Sequence, residues 1–248
     1  MADNRKERER DELHRTIRGI ANDLRGSVDG WDFKQYALGM LFYRYISENF
    51  ANYINDGERE AGDATFDYAQ RSDSDAEQAR DDLIKTKGFF ILPSQLFCSV
   101  RSRAPLDENL NETLEAVFQA VEDSAKGSDS EANFSGLFDD IDVNSNKLGG
   151  AVAERNKRLV KLMNGVGDMK LGGDNTIDAF GDAYEYLMGM YASNAGKSGG
   201  EYFTPQEVSE LLTRIAVAGT TEVNKVYEII IQTLIQGVGK IKMCTVAV

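Results

Sequence analysis

Cysteine is nearly absent. Cys98 and Cys244 lie far apart and form no CxxC pair. That excludes a disulfide framework and a cysteine-built zinc site. Histidine is scarcer still, since His14 is the only one. With no second histidine and no GxSxG string, a Ser-His-Asp site would rest on His14 alone, inside a charged first helix. A surface or helix-packing role suits it better. Prolines number three, at Pro93, Pro105 and Pro205, so long uninterrupted helices are permitted. No stretch approaches the ~18 consecutive apolar residues of a membrane span. Excess positive charge is missing too. The net charge of −13 argues against a protein that coats nucleic acid through a general basic surface. It leaves room for a local patch or for DNA contact through an assembly. The amino-terminal segment MADNRKERERDELHR is densely charged without an apolar core, unlike a secretory signal. A reducing cytoplasm fits all of this.

What is present reads as helix. Leu13, Ile17, Ile20, Ala21 and Leu24 recur at helical spacing, and Gly26 can end that helix. A second helix is expected from about Asp32, with Asp29 or Asp32 as its cap. Its aromatic stripe is Phe33, Tyr36, Leu41, Phe42, Tyr45, Ile46, Phe50 and Tyr53, the pattern of a bundle core. Residues 56–82 are polar and acidic and read as a charged helix or a surface excursion. KGFFILPSQLF, residues 87–97, reads as a brief strand or extended segment. Residues 110–125 read as a helix with Leu114, Val117, Phe118 and Val121 inward. The stretch up to Gly150 is loop-like. Residues 151–166 form a helix with a basic face of Arg155, Lys157, Arg158 and Lys161. Another helix spans 175–195, capped by Asn175 or Thr176, and the glycine-rich NAGKSGG, residues 194–200, breaks it.

Three motif-like strings fail on inspection. DIDVNSN, residues 140–146, alternates oxygen ligands as a calcium loop does. Such a loop needs glycine at its sixth position and glutamate at its twelfth, where Ser145 and Ala151 stand. An Asx-rich turn is the better reading. AGKSGG lacks the earlier glycine of a phosphate loop, because Tyr191 stands there and a helix precedes it. GVGK, residues 237–240, runs into Ile241 rather than Ser or Thr. No metal site and no catalytic residue is assigned. An unrelated enzyme built on the acidic loop 138–146 is the least supported class.

Three blocks carry a resemblance. They are DGWDFKQYALGMLFYRYISENF, FSGLFDDIDVNSNKLG with KGFFILP upstream, and AFGDAYEYLMGMYASNAGKSGGEYFTPQEVSELL. Together they resemble the modification subunit of type I restriction–modification systems across roughly residues 10–227. GGEYFTPQEV is the most specific string. The resemblance implies a mainly α chain, with an amino-terminal helical domain followed by the first helix of an incomplete Rossmann-like methyltransferase domain. The expected divisions are 1–170 for the helical domain, 171–200 for a connecting helix and glycine-rich hinge, and 201–248 for the start of the methyltransferase domain.

The family activity is methyl transfer from S-adenosylmethionine to adenine N6 in DNA. Its partners are DNA and the specificity and restriction subunits. EYFTPQ looks like the loop that touches the cofactor, which gives Glu201, Tyr202, Phe203, Thr204, Pro205 and Gln206 as cofactor-binding residues. Phe203 can pack on the cofactor and Thr204 can hydrogen-bond it, while a helix N-terminus favours its carboxylate. A plain helix entry fits the same string, with Thr204 as cap, Pro205 first and Glu207 third. Both can hold at once.

After Tyr227 the sequence departs from the family, as by a frameshift or truncation. Glu228 stands near the expected acidic position, but the glycine-dense loop is missing. The Asn-Pro-Pro-aromatic motif that would hold a flipped adenine is missing as well, since Pro205 is the last proline. The chain is therefore expected to be non-catalytic, with weak or absent cofactor binding. The apolar run EIIIQTLI would need burial, against the helical domain or in a homo-oligomer. The alternative reading is a non-catalytic helical interaction or assembly module.

Overall fold

The computed structural model describes residues 2–24, 30–171 and 179–192. The chain divides into two units, Met1–Tyr191 and Ala192–Val248, and of the second only Ala192 falls among the described residues. The described residues are mainly helical, with no strand among them. In order they form α1 (Ala2–Leu24), α2 (Gly30–Glu60), α3 (Asp73–Glu77), α4 (Arg80–Lys87), α5 (Phe97–Arg103), α6 (Leu110–Ser124), α7 (Glu131–Phe134), α8 (Val152–Gly167) and α9 (Ala179–Ala192). The mainly α expectation holds. The proposed caps Asp29, Asn175 and Thr176, the stop at Gly26 and the side chains of Leu24 and Asp32 lie outside the described residues.

The long helices follow from their patterns. In α8, Leu159, Leu162, Met163 and Val166 repeat at three and four residues, and all are buried. In α6 the same spacing buries Leu114, Val117, Phe118 and Val121. α1 turns Leu13, Ile17 and Ile20 inward, chiefly against α8. No proline interrupts α2, which is the spine against which α1, α5 and α8 pack. Its stripe is wider than the sequence suggests. Met40 and Tyr43 are fully buried, whereas Tyr45 and Tyr53 are 43% and 45% exposed. So the single aromatic face is corrected to a surrounded helix whose outer tyrosines sit at the rim.

The expected strand over 87–97 is absent: Lys87 closes α4, residues 89–92 run free of helix, Pro93–Gln95 form a 3-10 turn and Phe97 opens α5. The helix-free stretch threads the core with Phe89, Phe90 and Ile91 buried. No neighbouring strand is present to satisfy its backbone, so side chains do it. Phe90 N donates to Ser124 Oγ at 2.9 Å, and Ser124 Oγ donates back to Phe90 O at 3.1 Å. Tyr68 Oη donates to Ile91 O at 2.8 Å, and Tyr43 Oη to Gln95 O at 2.6 Å. Burial raises the Tyr68 and Tyr43 hydroxyls above the ordinary tyrosine range, so both remain donors at any working pH. Tyr68 comes from the polar stretch 56–82, which thus contributes to the core rather than only to the surface.

Two glycines fix close approaches. Gly88 ends α4 at φ +81°, and a Cβ there would lie 1.9 Å from Ser130 Oγ. Gly39, in the middle of α2, lets the 138–143 loop close on the helix. A Cβ at Gly39 would lie 1.8 Å from Ile141 Cδ1 and 2.4 Å from its Cγ1. Gly39→Ala is expected to destabilise by about 1–3 kcal/mol through overpacking. Adding Ile141→Ala should recover part of that loss. A denaturant-melt double-mutant cycle with purely additive costs would count against the contact.

Candidate functional site: the α1–α9 seam and the start of the methylase match

The six residues Glu201–Gln206, the NAGKSGG stretch and the apolar run after Tyr227 all lie outside the described residues. What the structure does place is α9, the helix that leads toward them. Its sequence AFGDAYEYLMGMYA puts Ala179, Ala183 and Leu187 on one stripe, and all three are buried. Small residues at two of those positions let the helix sit close to its neighbours. The flanking positions then reach two different helices.

Toward α2 the contacts are aromatic. Phe180 stacks on Tyr45 with ring centroids 4.2 Å apart and meets Phe42 edge-on at 5.4 Å. Tyr184 meets Phe42 edge-on at 6.3 Å. Offset and edge-to-face pairs of this kind add about 0.5–1.5 kcal/mol each beyond the area they bury. The rim tyrosine Tyr45 therefore has a partner, even though it is not in the core.

Toward α1 the contacts are polar and charged. Arg10, His14 and Arg18 are spaced four apart and share one face of α1. Asp182 and Tyr186 are spaced likewise on α9. Arg10 Nε donates to Asp182 at 3.2 Å, and the Asp182 side chain is only 10% exposed. His14 lies flat on Tyr186, with centroids 3.8 Å apart and planes 13° from parallel. Arg18 donates to Tyr186 Oη and places its guanidinium 5.5 Å from the same ring. Burial is the main cause that lowers the His14 pKa below its ordinary value, partly countered by Asp182. His14 is thus a helix-packing residue, as the sequence suggested. Asp182, Tyr186, Arg10 and Arg18 were not singled out from sequence. The available signal was the matched four-residue spacing on the two helices.

The acidic loop is a structural clasp. Asp142 accepts from Asn144 N at 3.0 Å in an Asx turn, and Tyr36 Oη donates to Asp142 O at 2.8 Å. Asn144 accepts from Asn111 Nδ2 at 2.6 Å and donates to Glu115 at 2.9 Å. Asn156 accepts from Asn111 N at 3.1 Å and donates to Glu108 O at 2.6 Å. The loop so ties α2 to α6, and Asn156 ties α6 directly to α8. Among the described residues no cluster of three or more His, Cys, Asp or Glu could hold a metal. The basic face of α8 is half committed inward. Arg155 donates to Gly149 O at 3.0 Å and Arg158 to Leu148 O, while Lys157 and Lys161 stay exposed.

Comparison with known proteins gives these elements a class. The HsdM N-terminal domain family matches residues 13–166, and the N-6 DNA Methylase family matches residues 175–233. The class is a helical methylase-subunit domain joined to the beginning of an N-6 DNA methylase region, with α9 inside that second match. The type I restriction enzyme MpnII methylase subunit of Mycoplasma pneumoniae is 45% identical over 229 residues, 89% of this chain and 42% of the relative. The type I restriction enzyme MjaIX methylase subunit of Methanocaldococcus jannaschii is 20% identical over 199 residues, 79% of this chain and 34% of the relative. A crystal structure of the type I restriction-modification system methyltransferase subunit from Streptococcus thermophilus superposes with a TM-score of 0.67 at 28% identity, covering 85% of this chain and 44% of that one. The chain belongs to the family of type I restriction–modification methylase subunits. It spans less than half the length of each of these three proteins. No helix among the described residues is long and apolar enough to cross a membrane.

Proposed function

We propose that this chain provides the amino-terminal helical domain of a type I modification subunit, together with the cofactor-loop entrance to its adenine-N6 methyltransferase domain. The observation that carries this is the order of the two matches, HsdM N-terminal domain at 13–166 and N-6 DNA Methylase at 175–233. The working division is a helical domain over 1–170, a connecting helix and hinge over 171–200, and a Rossmann-like start over 201–248. In a complete cytoplasmic assembly the partners are DNA and the specificity and restriction subunits. S-adenosylmethionine is the methyl donor, and Glu201, Tyr202, Phe203, Thr204, Pro205 and Gln206 form one edge of its site.

The 248 residues alone are expected to transfer no methyl group. They contain no Asn-Pro-Pro-aromatic string to hold the amino group of a flipped adenine. Incubation with labelled S-adenosylmethionine and adenine-containing duplex DNA tests this, and transfer above background by the purified chain would refute it. Cofactor binding should be about millimolar or weaker, because the glycine loop is missing and Glu228 stands only near the position of the acidic ribose partner. Thr204→Ala should then cost about 1 kcal/mol of local helix stability and leave the titration unchanged. A second reading is supported by the self-contained core of Met1–Tyr191. On it the chain is a helical assembly module with no methylation of its own. Tight calorimetric binding of S-adenosylmethionine, abolished by Thr204→Ala, would decide against that module.

A further inference from the structure

We propose that the α1–α9 seam is a charge-controlled clasp, closed while His14 is neutral and the Arg10–Asp182 pair is intact, and loosened when His14 takes up a proton. The inference rests on the reading that α9 opens the methylase region, so that the clasp governs how firmly the helical domain holds the first methylase element. Geometry carries it. Arg10, His14 and Arg18 make one stripe on α1, and Asp182 and Tyr186 make the facing stripe on α9.

The charged groups facing His14 are Arg10, Asp11 and Arg18 on α1 and Asp182 on α9. Two cations of the stripe are already in use. Arg10 is spent on Asp182, and Arg18 lies over Tyr186. A protonated His14 would set a third cation between them, in a partly buried position stacked on a ring. The carboxylates Asp182 and Asp11 offset part of that cost. Burial, together with Arg18 and Arg10, outweighs them. The sign follows. The docked His14 has the lower pKa, so an undocked α9 leaves His14 binding its proton more readily. Docking is therefore complete above about pH 6.5, the ordinary histidine value, and weakens as pH falls below it.

Amide hydrogen exchange on the whole chain tests the clasp, read by mass spectrometry on peptides covering α9 and α6. After correction for intrinsic rates, α9 exchange should speed up several-fold between about pH 7.5 and about pH 5.5, while α6 stays unchanged. His14→Phe keeps the stacked ring and cannot titrate, so its α9 exchange should be slow and the same at both pH values. His14→Gln should be fast at both. Asp182→Asn should also be fast at both, with α6 protection intact. Unchanged α9 exchange in the parent chain overturns the clasp, and so does a His14→Phe variant that responds to pH as the parent does. The readout needs neither cofactor nor DNA. Failure here leaves the methylase reading standing, and failure of cofactor binding leaves the clasp standing.

Discussion

Phe50→Ala is expected to lower the stability of the helical unit by about 3–5 kcal/mol, the cost of emptying an aromatic site in a closed core. Phe50 is fully buried on α2. Its ring meets Tyr68 at 5.7 Å, Phe89 at 5.3 Å and Phe90 at 5.9 Å. These three partners come from the polar excursion and the extended segment, so one side chain holds two irregular stretches onto the spine. The alanine variant leaves a cavity and also frees the extended segment, whose backbone depends on Tyr68 and Ser124. At about 2–4 °C per kcal/mol for a unit of this size, the melting midpoint should fall by about 6–20 °C. Phe50→Leu keeps most of the volume and should cost less than about 1.5 kcal/mol. Tyr53→Ala, one turn away but half exposed, should fall within about 1 kcal/mol of the parent. Thermal melts followed by circular dichroism rank the three. Equal midpoints for Phe50→Ala and Tyr53→Ala would show that this core is wrongly placed.

That ranking marks where sequence reading succeeds and where it stops. In α1 and α6 the apolar residues repeat at three and four, and each helix buries a single stripe, so local periodicity found their inward faces. α2 defeats the same reading. It packs against α1, α5 and α8, and α9 adds aromatic contacts at Phe42 and Tyr45. Met40 and Tyr43 are buried off the expected stripe, and Tyr45 and Tyr53 on the stripe are exposed. Tyr68 was hidden by its acidic surroundings, because two aromatics, Phe66 and Tyr68, in a long polar stretch give no periodic signal. The strand expected over 87–97 shrinks to the helix-free residues 89–92, whose hydrogen-bond partners lie on other elements. The seam joins residues 172 apart, Arg10 to Asp182, and no local pattern links them. The proposal of Glu201–Gln206 as cofactor residues rests on family resemblance alone, since a Thr-Pro helix entry is too common to name a ligand.

The strongest polar effect is expected at Arg44. Its chain position on α2 gives no hint of its role, yet it is buried and its Nη1 donates to Val166 O at 2.6 Å and to Met169 O at 2.7 Å. Its Nε donates to Glu48 Oε1 at 2.6 Å. The reason lies at the end of α8. A helix terminus leaves its last carbonyls without intrahelical partners and carries partial negative charge. α8 has no basic residue in its own last turn. Arg44 supplies the missing cation from a neighbouring helix, and Arg101 assists by donating to Asn164 Oδ1 at 3.2 Å. Arg44→Met keeps much of the stem and removes every donor. Met169 O then loses this donor, while Val166 O keeps the 3.3 Å bond from Met169 N, so the loss should be about 1–3 kcal/mol. Glu48 is 45% exposed and can return to water, so Glu48→Gln should change stability by less than about 1 kcal/mol. Arg44→Lys should fall between the two, because its shorter stem draws the charged nitrogen back from the two carbonyls that Nη1 reaches and the Nε donor to Glu48 is lost. Urea denaturation of the three variants gives the order, and amide exchange in α8 should rise most in Arg44→Met. An Arg44→Met chain as stable as the parent, with α8 exchange unchanged, would mean that water or a neighbouring group caps this helix and that Arg44 is held there for another reason.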